Sequence, residues 1–570
     1  MPTLLDLITG TAENAAGAVV AALLAVYLFL YRWQFLKTHP NEPPIIPSAV
    51  PFVGHLLGMA LQGGRYVKNL GLRNPDKPIF TLPVPRSRIY VVTDPSLAAA
   101  VQRASKTLSF TPLVPDITHR VLGLDDETVA IVRQHIDPEP GEPRGFLADI
   151  HDMVYSYLGP GEALNELSLD AVRELAKQVD RYVKALRGSK GGKETVDLLT
   201  WIRHFVAIST AQFLYGDENP LAVHPELESA FWDFDHGLGG LLMGLFPSIT
   251  ARKAYRGREA LAAAFEEYLT LGRHKDASPI IQKRVAIALQ HGWTLRAAAR
   301  SEVSFLFAGI VNTATTTFWI VLHLFASPDL LSAVRGDLSA SFPPDRSDPH
   351  TLTLDLNSLK TCSPTLASVL RETLRYTSDN YSTRLVKAPT TLPGGYRLSQ
   401  GSVVQISGGT IHADRRIWGA DAGAFNPFRF LSSPSASSFA SSFSSSSPTE
   451  NMPSKEHDSP HPKTTTHPAA FRAFGGGKTL CPGRHFATAE ITALAAMLVT
   501  RFDVMGLGED EDEDRVVDGN TKTGAKGRKR GIEIPDKEDG VMPVHVLEPK
   551  RAVTVCVKVR DEVRGMKVVG

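Results

Sequence analysis

The sequence predicts a mainly α protein with a smaller β region and an N-terminal transmembrane helix. Three observations carry that expectation. Ala15 to Tyr31 is a run of 17 residues without a charge. Long stretches at Arg296 to Ala326 and Gly483 to Phe502 bear apolar residues at helical spacing. Short runs rich in β-branched and aromatic residues, Ile79-Phe80-Thr81-Leu82 and Ile89-Tyr90-Val91-Val92, read as strands.

The uncharged run spans about 25 Å as a helix against roughly 30 Å of hydrocarbon, with Tyr27, Tyr31 and Trp33 suited to one interface. Asp6 and Glu13 precede it and no Lys or Arg comes before Arg32, unlike the basic opening of a cleaved leader. Arg32 and Lys37 follow it, so the positive-inside rule leaves the rest of the chain in the cytosol. Residues 1–36 are therefore expected to be a membrane anchor. Residues 37–54, with Pro40, Pro43, Pro44, Pro47 and Pro51, are expected to be a stiff extended hinge, and residues 55–570 the main body.

Along that body the pattern predicts a helix from Pro95, is weak and proline-containing between 103 and 145, and predicts helices from Ala148 to about Tyr215. One of these has a capped start at Leu164 to Ser168 and another opens at Asp197 to Ile202. Residues 222–295 continue as helices around an apolar loop, Gly237 to Ile249. Leu366 to Tyr376 is amphipathic and sets Glu372 and Arg375 three apart on one face. Leu385-Val386, Gly395 to Leu398 and Gly401 to Ile406 read as strands and turns, and Val541 to Val559 alternates as a strand. Two inserts, at about 432–467 (Ser, Pro and Thr) and 508–540 (acidic, then basic), are expected to be disordered loops.

Bulk composition narrows the chemistry. With 60 acidic and 61 basic residues and a net charge of +1, the chain has no general attraction to nucleic acid. Its three cysteines, Cys362, Cys481 and Cys556, are too few and too odd for a disulfide framework, which points to a reducing compartment. Cys481 stands in Phe474-Gly475-Gly476-Gly477-Lys478-Thr479-Leu480-Cys481-Pro482-Gly483-Arg484. Consecutive glycines let backbone approach a bulky planar ligand. Pro482 suits the first turn of a helix, which sets Cys481 at a helix N-terminus, where N–H donors and the helix-end potential lower a thiol's pKa. A thiolate beside a flat, glycine-lined space suits an axial ligand of haem iron.

This segment resembles the haem-binding loop of the cytochromes P450, a family of haem-thiolate monooxygenases. The resemblance implies that Cys481 ligates the iron of haem b, that Phe474, Gly475 and Gly483 shape the loop around it, and that Arg384 reaches a haem propionate. It also implies that Glu372 and Arg375 join Arg429, in Phe425-Asn426-Pro427-Phe428-Arg429-Phe430, as a buried network bracing the loop. His412 is then expected to be structural. Arg296 to Ala326 becomes the helix over the opposite haem face, where Gly309 costs roughly 1 kcal/mol relative to Ala and so wants a reason such as close approach of a ligand. Asn312 and Thr313 would assist oxygen activation there, although Val311 and Asn312 stand where the family usually has an acid and an alcohol. Asn312 and Thr479 both resemble the sterol 7α-hydroxylase and prostacyclin synthase branch. The contact that many members make to a propionate with a Trp and an Arg is missing or replaced, since no Trp lies between Trp33 and Trp201.

The activity so implied is oxidation of a bulky lipophilic molecule of sterol, terpenoid or polyketide type in specialised metabolism. It would use O2 and electrons from an NADPH–cytochrome reductase, alone or with cytochrome b5. The location implied is the endoplasmic reticulum membrane, single-pass, with the catalytic domain facing the cytosol. The alternative is a reductase-independent isomerase acting on a peroxide.

Overall fold

A computed structural model describes residues 4–37, 39–189, 192–343, 348, 350–431, 466–507, 531–542, 544–560 and 565–570. The first element is helix α1 (Leu4–Trp33), which leaves Val20, Leu23 and Phe29 more than 60% exposed. The proline-rich stretch behind it lies along the body: Thr81 N–H donates to Pro44 O at 2.8 Å, and the buried Glu42 pairs with Arg88 at 3.0 Å. The expected hinge is extended but bound, because its backbone finds partners on a strand edge.

Strands β1 (Ile79–Val84) and β2 (Ser87–Val92) form an antiparallel hairpin, followed by α2 (Pro95–Arg103) and β3 (Leu108–Ser109). Asp94 caps α2 by accepting from the N–H groups of Ser96 and Leu97, with Pro95 in the first turn as expected. The stretch with the weak pattern forms two short helices, Val114–Leu122 and Asp126–Val132, and helices α3 (Phe146–Leu158) and α4 (Glu162–Gly188) follow. The capped start expected at Leu164 to Ser168 lies inside α4, whose N-cap is Gly161 without a side-chain cap. Strand β4 (Lys193–Asp197) leads into α5 (Leu198–Tyr215), capped by Asp197 on Thr200 N–H. Helices α6 (Leu227–His236) and α7 (Arg252–Thr270) flank the segment expected to be an apolar loop, which instead folds into two short helices, Leu238–Met243 and Pro247–Thr250, with Leu245, Phe246 and Ile249 mostly exposed.

The central helix is α8 (Leu295–Phe325), capped by Thr294. It packs on α5 and α7, and Phe318 and Trp319 are wholly buried along it. Each such aromatic side chain is worth about 2–3 kcal/mol in burial. Helix α9 (Pro364–Thr377) precedes β5 (Tyr381–Val386) and β6 (Val403–Ser407), which complete a sheet of order β1-β2-β6-β5-β3. Helix α10 (Arg484–Arg501) packs on α8 and α4. Then β7 (Phe502–Gly506) and β8 (Thr554–Val559) form an antiparallel sheet with β4.

Two expectations near the C-terminus are corrected. Only Thr554–Val559 of the alternating 541–559 segment is a strand. The residues before it are claimed by α8 and α9 instead: Val546 N–H donates to Asn312 and Leu547 N–H to Thr377 O. Residues 531–540, assigned to the charged insert, are described and partly packed, with Lys537 Nζ 2.6 Å from Tyr376 O. The rest of that insert, and residues 432–465 of the serine-rich one, lie outside the described residues.

Candidate active site

The glycine-rich loop runs into α10 through Gly483 at the N-cap, so Pro482 stands just ahead of the helix rather than in its first turn. Gly475 and Gly477 adopt φ of +74° and +61°, where a side chain would be strained. A Cβ on Gly476 would fall 2.0 Å from the Gln102 amide nitrogen and 2.8 Å from Arg472. The loop therefore turns tightly against α2 and Arg472. Cys481 N–H donates to Phe474 O at 2.9 Å, closing the loop on its first residue.

One expectation about the thiol is corrected. The Cys481 pKa is raised, because burial outweighs the hydrogen bond from Gly483 N–H and the Arg484 charge. A helix N-terminus alone does not make this cysteine a thiolate; a bound cation would have to do so.

Behind the loop the Glu372 network is complete. Glu372 is fully buried and accepts from Arg375 Nε (2.8 Å) and Nη2 (2.7 Å), Arg429 Nε (3.0 Å) and Asn426 N–H (2.9 Å). Arg375 spends its other donors on the carbonyls of His412 (2.6 Å), Ala422 (2.8 Å) and Ala424 (3.0 Å). Arg429 pairs with Asp421 at 2.9 Å and reaches Trp418 O at 2.7 Å. His412 is structural: its Nδ1 pairs with Ser378 O at 2.9 Å, and its Nε2 accepts from Arg472 N–H at 2.8 Å. Burial holds the pKa of this imidazole down to about 3. Since Arg472 O accepts from Gly475 N–H at 2.9 Å, continuous hydrogen bonding runs from Glu372 to the cysteine loop.

Two cations stand beside this loop with no carboxylate partner among the described residues. Arg384, on β5, donates to Thr479 Oγ1 (2.5 Å), Gly476 O (3.3 Å) and Thr383 O (2.7 Å). Arg472 donates to Ser382 Oγ at 2.9 Å and faces the Gln102 amide. They are 4% and 2% exposed, and burial pushes both guanidinium pKa values down to about 10, with Arg384 also depressing Arg472. Two neighbouring buried cations without counter-charge fit an anionic ligand, as the paired propionates of haem would be. Arg472 escaped the sequence reading; an arginine inside the apolar run Ala469 to Phe474 was its one signal.

Along the middle of α8, Ala308 and Asn312 are exposed while most residues around them are buried. They are one turn apart, so a single face opens onto space. The Asn312 Oδ1 accepts from Val546 N–H at 2.9 Å, a donor that fixes the amide orientation and leaves its NH2 free to donate. Thr313 is buried, near Glu490 on α10. Glu490 is fully buried, accepts from Thr210 Oγ1 at 3.4 Å and has no partner for Oε2. Burial raises its pKa to about 8, so it holds a proton at neutral pH. Gly309 has its reason in helix packing: a Cβ there would meet Thr210 Cγ2 at 3.0 Å.

Known proteins resemble this chain along most of its length. Residues 288–521 match the family model of cytochrome P450. The chain is 29% identical over 495 residues to cytochrome P450 monooxygenase nodJ of Hypoxylon pulicicidum, covering 85% of this chain and 88% of that one. It is 24% identical over 518 residues to the 5-beta-cholestane-3-alpha,7-alpha-diol 12-alpha-hydroxylase of Sus scrofa, covering 86% and 92%. Among solved structures it shares the fold of a retinoic acid-bound cyanobacterial CYP120A1, with a TM-score of 0.62, 19% identity and coverage of 91% of this chain and 99% of that one. With residues 288–521 matching that family model and P450 monooxygenases aligning over 85% of its length, this chain belongs to the cytochrome P450 family of monooxygenases.

Proposed function

We propose that this enzyme oxidises a bulky lipophilic molecule of sterol, terpenoid or polyketide type in specialised metabolite biosynthesis, with Cys481 as the axial ligand of haem b. The observation that carries the reading is the pair of buried guanidinium groups, Arg384 and Arg472, beside the loop of Cys481. They would hold the propionates. Phe474, Gly475 and Gly483 would frame the sulfur, and Glu372, Arg375 and Arg429 hold that frame. When bound, haem supplies a redox-active iron for work on molecular oxygen. Asn312 would present two N–H donors toward the reacting space, orienting an acceptor atom there. Thr313 would act one step away, beside the protonated Glu490.

Electrons would come from an NADPH–cytochrome reductase, alone or with cytochrome b5. Residues 1–36 would anchor the enzyme in the endoplasmic reticulum membrane, single-pass, with the exposed apolar side chains of α1 in lipid and the catalytic domain in the cytosol. A second reading is favoured by Asn312: an amide fixed as a donor binds an oxygen acceptor but does not pass protons on as a hydroxyl does, which suits isomerisation of a peroxide without a reductase.

The test of the centre is the carbon monoxide difference spectrum of the reduced protein, wild type beside Cys481→Ser. A Soret band of the thiolate-ligated type, lost in the variant, is the expected result; its absence from folded, haem-loaded wild type overturns the assignment. Turnover with and without reductase and NADPH then separates the two reactions.

A further inference from the structure

The peptide unit between Leu480 and Cys481 is held at both ends. Its N–H donates to Phe474 O at 2.9 Å, and its carbonyl accepts from the Tyr155 hydroxyl at 2.6 Å. Tyr155 lies on α3, 325 residues away in sequence, and its ring packs over His151 one turn earlier, with centroids 4.5 Å apart. The hydroxyl bond is at the short end of the O–H···O range. Donation to a peptide carbonyl also polarises the N–H of the same unit, so the two bonds reinforce each other.

We infer that Tyr155 is a positioning residue for the axial sulfur. The plane of the peptide before Cys481 sets the direction of its Cα–Cβ bond, and beyond that bond only one torsion separates the backbone from the sulfur. Tyr155 therefore acts through the Leu480 carbonyl, on a helix that, among the described residues, contributes nothing else to the loop's own backbone hydrogen bonding. A phenol holds its proton at neutral pH and is thus a donor here. This inference rests on the reading of Cys481 as the ligand.

The experiment uses the full-length, haem-loaded protein with Tyr155→Phe and with 3-fluorotyrosine at position 155, a near-isosteric and stronger donor. The readouts are the reduction potential and the share of the ferrous carbon monoxide complex that has lost the thiolate band. Tyr155→Phe is expected to raise that share about three- to tenfold, the factor that one net hydrogen bond represents. The fluorinated protein should move the potential in the opposite sense to Tyr155→Phe. Unchanged share and potential in Tyr155→Phe, with the wild-type band intact, overturn the role of Tyr155 alone. So does an equal shift in both variants, which would make the ring a space filler. A wild type without the thiolate band overturns the axial assignment, and the role of Tyr155 with it.

Discussion

Glu372 and Glu490 are both buried carboxyl groups on helices flanking the cysteine loop, and the chain treats them in opposite ways. Glu372 meets two guanidinium groups and a backbone N–H, and every donor around it is used. Glu490 meets only threonine hydroxyls and keeps one oxygen without a partner. A buried carboxyl group is stabilised either by opposite charge or by keeping its proton, and the two solutions do different work. The first makes a rigid clamp, the second a proton reserve next to α8.

The largest effect expected from breaking this contrast is at the clamp. Glu372→Ala leaves Arg375 a buried cation with only its carbonyl partners and Arg429 only its outer ones, at a cost of about 3–5 kcal/mol. Denaturant unfolding should show it as a lowered midpoint, together with failure to retain haem. Next is the pH response of Glu490. Its pKa in the fold, about 8, lies above the ordinary value of 4.5. The stabilisation linked to its proton is complete below 4.5 and is lost as pH rises through 8. Glu490→Gln, which keeps the shape without the charge, should flatten the slope of unfolding free energy between those limits; an unchanged slope would place the proton elsewhere. Arg429→Ala is smaller, about 1–3 kcal/mol, because Arg375 still pairs with Glu372, and urea melts of the two clamp variants side by side would rank them. Smallest is Asn312→Ala, about 1 kcal/mol by the same measurement, with faster hydrogen exchange at the Val546 amide as its local signature.

The sequence made one side of this contrast readable and hid the other. Glu372 and Arg375 share a helix face, and Arg429 stands in a recognisable run, so the clamp could be anticipated from local pattern and resemblance. The helices, too, were legible wherever periodicity was long, as in α8 and α9. Glu490 gave no local sign, because its burial arises from packing α10 against α5 and α8. Asn312 was noticed for its type, yet its orientation depends on Val546, 234 residues away. The thiol of Cys481 was misread for the same reason: helix-end effects can be seen in a sequence, whereas the desolvation that outweighs them requires the assembled core.

The paired arginines beside the loop carry a consequence for how the protein is made. Without an anionic ligand, Arg384 and Arg472 repel each other in a dry site and weaken the empty chain. A ligand that binds only the folded form stabilises it by mass action. Yield in a cell should therefore follow haem supply: starved cells would lose the empty chain to proteolysis, and added haem precursor would rescue soluble protein before any change in transcript. Exchanging both arginines for apolar residues would break that dependence and leave a sturdier apoprotein with little hold on its cofactor.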